Sequence, residues 1–144
     1  MKKFWYLVFL ILLVTGCATE TLEYPDDPES VVRAYFSALY EENYAQAVKY
    51  YGGTYEDLQG YHPQINAQDH EALFRAYIEI TGGQLVTVAS IIKVDEIRAN
   101  EEYAIDLTFI DKSGKSFREG MVYTYTVKRI DGKLKVMELP PYLA

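Results

Sequence analysis

Residues 27–51 read DPESVVRAYFSALYEENYAQAVKYY, and the spacing of their apolar side chains sets how the rest of the chain can pack. Asp27 is an N-cap acid, Pro28 fits the first helical position with its φ already set, and Glu29 faces the positive end of the helix dipole. Apolar pairs then recur every four residues at Val31/Val32, Tyr35/Phe36 and Leu39/Tyr40, so one face of this helix is predicted to be buried. Glu41-Glu42-Asn43 interrupts the pattern. Asn43 can cap a second helix, Tyr44 to Tyr51, which Gly52-Gly53 ends. Gly52-Gly53 and Gly82-Gly83 both follow helices, whereas a phosphate loop places its glycines before one, so they are read as caps.

Downstream, Thr54 to Gln68 is weakly periodic, broken by Gly60 and His62-Pro63, and reads as loop with about one helical turn. A third helix begins at Asp69 or Asn66 and carries a stripe of Leu73, Phe74, Tyr77 and Ile78. From Gln84 the period changes to two. Gln84–Val94 is the first strand, and Tyr103–Asp111 alternates as the second. Asp111-Lys112-Ser113-Gly114-Lys115 fits a three-residue hairpin loop with Gly114 left-handed, a register that sets Phe109 against Phe117, Ile105 against Met121 and Tyr103 against Tyr123. Ile130-Asp131-Gly132-Lys133 fits a two-residue primed turn, pairing Val127 with Val136 and Tyr125 with Glu138, and Pro140-Pro141 ends the sheet. Helices first and an antiparallel meander after them make the domain α+β.

The face A-Y-F-x-A-L of the first helix, the acidic break and the run N-Y-A-x-A-x-x-Y-Y resemble the opening of the nuclear transport factor 2-like superfamily, closest to its bacterial lipoprotein members of unknown function, over roughly Pro28 to Leu139. The resemblance implies N-terminal helices packed on a strongly curved antiparallel sheet, forming a cone with a cavity at its mouth. Superfamily members range from isomerases and cyclases to non-catalytic binding modules, so the resemblance speaks to fold and not to activity.

Working outward to the N-terminus, Lys2 and Lys3 precede Phe4–Val14, FWYLVFLILLV, an uncharged apolar run followed by Val14-Thr15-Gly16-Cys17. A spanning helix needs about 20 apolar residues, so this run reads as the core of a signal peptide. Its end resembles the bacterial lipobox, which implies diacylglycerol on the Cys17 thiol and cleavage just before it. Residues 1–16 are then a lipoprotein signal peptide, 17–27 a lipidated cysteine with an acidic tether, and 28–144 the domain. The tether proper, Thr19 to Glu29, is acidic, proline-bearing and aperiodic. Two or three acyl chains make a durable anchor where one is marginal. The expected location is outside the cytoplasm, anchored to the cell membrane or outer membrane; by resemblance to Gram-negative lipoproteins, Ala18 after the cysteine permits export to the outer membrane.

Removing residues 1–16 takes away two bases and no acid, leaving 128 residues with 12 bases against 21 acids, a formal charge of −9. No cysteine beyond Cys17 exists, so the core has no intramolecular disulfide to help it. Residues 20–71 carry eleven acids against Arg33 and Lys49, which argues against nucleic acid as a partner. Residues 112–135 carry seven bases against Glu119 and Asp131, suited to anionic headgroups, to an acidic partner, or simply to solvated strand positions.

Chemistry is sparse. His62 and His70 lie eight apart across a proline without the spacing of a helical metal pair, and Ser37, Ser90, Ser113 and Ser116 have no nucleophile-elbow setting. No metal or cofactor is expected. Ketosteroid-isomerase-like members of the superfamily use a carboxylate with tyrosine donors, and the hairpin registers offer Glu138 as the acid, with Tyr35, Tyr77, Tyr103, Tyr123 and Tyr125 as a candidate pocket. Glu119 shares the Met121/Tyr123 face unless a bulge near Gly120 turns it outward. Two readings follow. The first is a lipid-anchored envelope protein with a non-catalytic domain binding a protein or a small apolar ligand. The alternative is a small isomerase or cyclase using that carboxylate and those tyrosines. The resemblance also implies dimerisation through the open sheet face.

Overall fold

The computed structural model describes residues 23–81 and 85–141. Helix α1 spans Pro28–Tyr40, its N-cap Asp27 accepting the Ser30 amide at 2.8 Å. Val31, Val32, Tyr35, Phe36 and Leu39 on its predicted face are all fully buried. Glu42 takes a left-handed conformation (φ 59°) and breaks the helix, after which Asn43 caps α2, Tyr44–Tyr50, by accepting the Gln46 amide. A short α3, Glu56–Tyr61, stands where loop with about one turn was expected. Asp69 caps α4, His70–Ile80, whose Leu73, Phe74, Tyr77 and Ile78 are buried as the stripe predicts.

Four strands follow: β1 Val86–Arg98, β2 Glu102–Asp111, β3 Tyr123–Ile130 and β4 Lys133–Val136. They form one antiparallel meander in the order β1-β2-β3-β4, an open sheet that is neither closed nor strongly curled, so the fold is α+β without the strongly curved cone implied by the resemblance. Helix α1 crosses its inner face against β1, β2 and β4. There the Phe36 ring meets Phe109 at 4.5 Å and Tyr125 at 5.1 Å. Burying one such side chain contributes about 1.5–3 kcal/mol.

β1 runs four residues past its expected end, and three register shifts against β2 each insert one extra residue: Ala89, Ile92 and Ile97. All three are exposed. Such bulges bend a strand and sharpen its twist.

The first hairpin is as expected at its tip. Gly114 is left-handed (φ 76°), and the Phe117 amide donates to the Phe109 carbonyl at 2.9 Å. Beyond the tip the expected register fails. A ladder continued from Ile110↔Ser116 would set Leu107 opposite Glu119, yet Leu107 faces Tyr123, Ile105 faces Tyr125 in place of Met121, and Tyr103 faces Val127 in place of Tyr123. Residues 118–121 are looped out, with Arg118 (φ 53°) and Gly120 (φ 77°) left-handed and the Met121 amide donating back to the Arg118 carbonyl. Because four residues is an even insertion, the apolar set stays on the inner face.

The second hairpin holds its predicted turn (Asp131 φ 50°, Gly132 φ 79°) and its Val127↔Val136 pair. The pairing of Tyr125 with Glu138 does not form, because the ladder ends at Val136 and Thr126 donates its amide to the Glu138 carboxylate at 2.7 Å.

Gly52-Gly53 follows α2, but not as a left-handed cap. The C-cap is Tyr51 in extended conformation, and the Gly52 amide donates to the Val136 carbonyl at 2.8 Å. A Cβ on Gly52 would lie 2.8 Å from Lys135 Cβ, and one on Gly53 would collide with the Met137 carbonyl and the Tyr51 ring. The glycines admit the approach of β4.

The described end of the segment read as a tether lies on the domain. The Tyr24 hydroxyl donates to the Leu134 carbonyl at 2.6 Å, and Asp26 pairs with Arg129 at 2.7 Å.

Candidate functional site

Tyr35 of α1, Tyr77 of α4 and Tyr125 of β3 are buried and converge on the backbone that follows β4. Their hydroxyls donate to successive carbonyls: Tyr35 to Glu138 at 3.4 Å, Tyr125 to Leu139 at 3.2 Å and Tyr77 to Pro140 at 2.9 Å. The Glu138 carboxylate is held by the Thr126 amide. Three neutral donors and one carboxylate are thus brought together, directed at peptide groups of the chain itself. Tyr103 and Tyr123 share the inner sheet face but make other contacts. Tyr103 is partly buried against the core, and Tyr123 packs on Phe109 at 5.3 Å, its hydroxyl buried with no partner among the described residues. Glu119 is exposed on the looped-out segment.

A second locus lies between α3 and α4, a depression of about 470 Å³ lined by Tyr55, Glu56, Gln59, Gly60, Ala67, Gln68 and His70, with Glu56 exposed. His70, the first residue of α4, lays its ring flat on Tyr55 with centroids 3.6 Å apart and planes within 6°. Burial drives the Tyr55 phenol well above its ordinary pKa. Gln59 is fixed by donating to the carbonyls of His62 and Ile65. Tyr55 Oη, Gln59 Oε1 and His62 Nε2 are buried and find no hydrogen-bond partner among the described residues. Tyr55 and His62 flank α3 as its N-cap and C-cap residues, and Gln59 lies within it. Natural folds leave few such groups unpaired.

The residues around His70 have other work: Asp69 caps α4, and Glu71 pairs with Arg75 at 3.1 Å. Among the described residues no group of three or more His, Cys, Asp or Glu side chains is arranged to hold a metal.

A third locus, about 550 Å³, lies beside the β2–β3 tip between Leu85, Phe117 and Arg118. The Asp111 carboxylate there accepts the Ser113 hydroxyl at 2.6 Å and the amides of Ser113 and Lys115, contacts that hold it below the ordinary carboxylate range. Neither depression is lined by Tyr35, Tyr77, Tyr103, Tyr123, Tyr125 or Glu138.

Sequence reasoning missed the α3 locus because its face is polar, and a search for apolar periodicity passes over it. The spacing of Tyr55, Gln59 and His62 around Leu58 was the available signal. Cys17 and the apolar run read as a signal peptide lie outside the described residues, and no described helix is long and apolar enough to cross a membrane. No protein-family model matches the sequence, and no curated protein is significantly similar to it.

Proposed function

We propose that this chain is a lipid-anchored protein of the cell envelope, attached through Cys17, whose domain is a non-catalytic binding module for a small molecule with an apolar body and an uncharged polar group. The observation that carries the binding half is a pair of unpaired buried atoms, Tyr55 Oη and Gln59 Oε1, on two residues that line the α3–α4 depression. The Tyr55 hydroxyl can donate and Gln59 Oε1 can accept, while the one charged side chain in the lining, Glu56, is exposed and no charged side chain is buried among the described residues. The anchor half is supported by Val14-Thr15-Gly16-Cys17 after its apolar run. A relationship to the nuclear transport factor 2-like superfamily, without the strong sheet curvature, belongs to the same proposal, supported by a helix pair ahead of an antiparallel meander.

The isomerase reading is less well supported, since the three converging tyrosines donate to carbonyls of the chain and Glu138 accepts a backbone amide. Dimerisation through the open sheet face would have the exposed Ile92 and Ile97 of β1 to work with, set in an otherwise polar surface. That face carries Ser90 bonded to Thr108, Thr124 bonded to Asp106, and the ion pairs Lys93–Asp95 and Lys128–Glu102.

The test is the lipidated full chain isolated from its own membranes and weighed under non-denaturing conditions. A bound small molecule that is lost in Tyr55→Phe, a change that removes only the unpaired hydroxyl, supports binding; equal retention, or no bound molecule, overturns it. For the anchor, Cys17→Ser is expected to abolish lipid labelling and leave the precursor uncut, and normal processing of that variant overturns it.

A further inference from the structure

If Cys17 carries lipid, the position of the first described residues decides which surface of the domain meets the bilayer. We propose that the end of the domain formed by the β3–β4 hairpin and the C-terminus of α2 rests on an anionic membrane surface through Lys49, Lys133 and Lys135. The proposal rests on the lipid-anchor reading and adds the docking surface to it.

The first support is a clamp. Tyr24 donates to the Leu134 carbonyl of β4, its ring packs on Tyr50 with centroids 5.3 Å apart, and the Lys133 ammonium sits 5.0 Å over the same ring. Two residues on, Asp26 pairs with Arg129, whose guanidinium also donates to the carbonyls of Asn100 and Gly132. One arginine thereby ties the entering chain to both the β1–β2 and the β3–β4 turns. The chain is committed to this end of the sheet before α1 begins.

The second support is length. Six Cα–Cα steps separate Cys17 from Glu23, about 20 Å at full extension whatever their conformation. A domain of this size is about 35 Å across. The clamped end is therefore too close to an acylated Cys17 to be turned away from the bilayer.

Charge is the third. A chain of net −9 is repelled by an anionic surface unless it presents a local exception. At the clamped end Arg98 and Lys128 are held by Glu101 and Glu102, and Arg129 by Asp26. Lys49, Lys133 and Lys135 have no carboxylate partner among the described residues; the acids at this end without an ion pair are Glu23 and Asp131, with Asp27 and Glu96, whose carboxylates accept the Ser30 and Asn100 amides. Each lysine brought to an anionic surface favours contact by roughly fivefold, within a Debye length of about 10 Å.

The experiment places the lipidated full chain in phosphatidylcholine vesicles with and without phosphatidylglycerol. A water-soluble acetylating reagent then reads the accessibility of each lysine. At low salt, Lys49, Lys133 and Lys135 are expected to react severalfold more slowly on the anionic vesicles, while Lys112 and Lys115, at the far end of β2, react equally on both. Molar salt should erase the difference. Equal rates on the two vesicles, or protection of Lys112 and Lys115 instead, would overturn the proposal while leaving the anchor intact. A chain that floats with neither vesicle overturns the anchor reading first. The pair Lys133→Glu and Lys135→Glu should still float but lose protection at Lys49; retained protection counts against the surface.

Discussion

The looped-out segment 118–121 gives the sharpest test of the β2–β3 register. Asp106 and Thr124 are Cα partners on the outer face, joined by a 2.6 Å hydrogen bond. Directly opposed antiparallel residues lie about 4.5–5.5 Å apart at Cα, inside the 4.4–6.8 Å a disulfide accepts. Asp106→Cys with Thr124→Cys should therefore oxidise readily, closing a loop of about 18 residues. Loop closure of that length contributes about 3 kcal/mol through the unfolded chain. Loss of the exposed Asp106–Thr124 hydrogen bond subtracts about 0.5–1 kcal/mol. Relative to wild type the net gain is about 2 kcal/mol, while between the reduced and oxidised variant, both of which lack that bond, the full ~3 kcal/mol applies, a rise in Tm of roughly 10 °C. An uninterrupted hairpin would instead set Asp106 opposite Gly120, so Asp106→Cys with Gly120→Cys is the control. Gly120 sits in the loop-out at φ 77°, and this pair should stay reduced. The assay is thiol titration followed by thermal melts with and without reductant. Ready closure of 106 with 120, or failure of 106 with 124 in a folded protein, would refute the four-residue insertion.

Two further outcomes are expected. Gly53→Ala should lower stability by about 1–3 kcal/mol, because its Cβ meets the fixed Met137 carbonyl, while Gly60→Ala, with nothing within 4 Å, should be neutral or stabilising. Urea titration of the two variants checks this, and equal effects would sink the close-approach account. Asp27→Ala should cost about 1 kcal/mol at neutral pH as a lost N-cap. Hydrogen bonding from Ser30 holds the Asp27 carboxyl below its usual pKa, so its contribution is present above the unfolded value near 3.9 and lost as pH falls through the lower, folded one. The gap between wild type and variant should close in acid, and a gap that persists there would count against this cap.

What could be read from the sequence was what is locally encoded. Helices α1 and α2 follow from Asp27, Pro28 and Asn43 with a four-residue apolar step, and the Asp131-Gly132 turn fixes its own register. The first hairpin was legible only to Phe117. Beyond it, the pairing depends on Arg118 and Gly120 both turning left-handed, and an arginine carries no signal for that. Gly52-Gly53 announced a break, but the cause is a strand eighty residues away. The candidate tyrosines show the same limit: alternation placed Tyr125 inward and helical spacing did so for Tyr35 and Tyr77, yet no pattern within those elements reveals that their hydroxyls meet the carbonyls of residues 138–140. The α3 locus went unread because a polar face carries no hydrophobic period.

The two margins of the sheet are guarded by different means. Along β4, the Leu134 and Val136 carbonyls are taken by the Tyr24 hydroxyl and the Gly52 amide, while β1 is kinked at Ala89, Ile92 and Ile97. Neither presents the straight, unsatisfied ladder on which a second copy could polymerise. Molecules confined to a membrane plane, as proposed here, meet one another at high lateral density and in a shared orientation, the condition under which an open margin would seed ribbons. The residues just ahead of α1 would then act as a guard against two-dimensional self-assembly, and proteolytic removal of Tyr24 would expose the β4 margin to its neighbours.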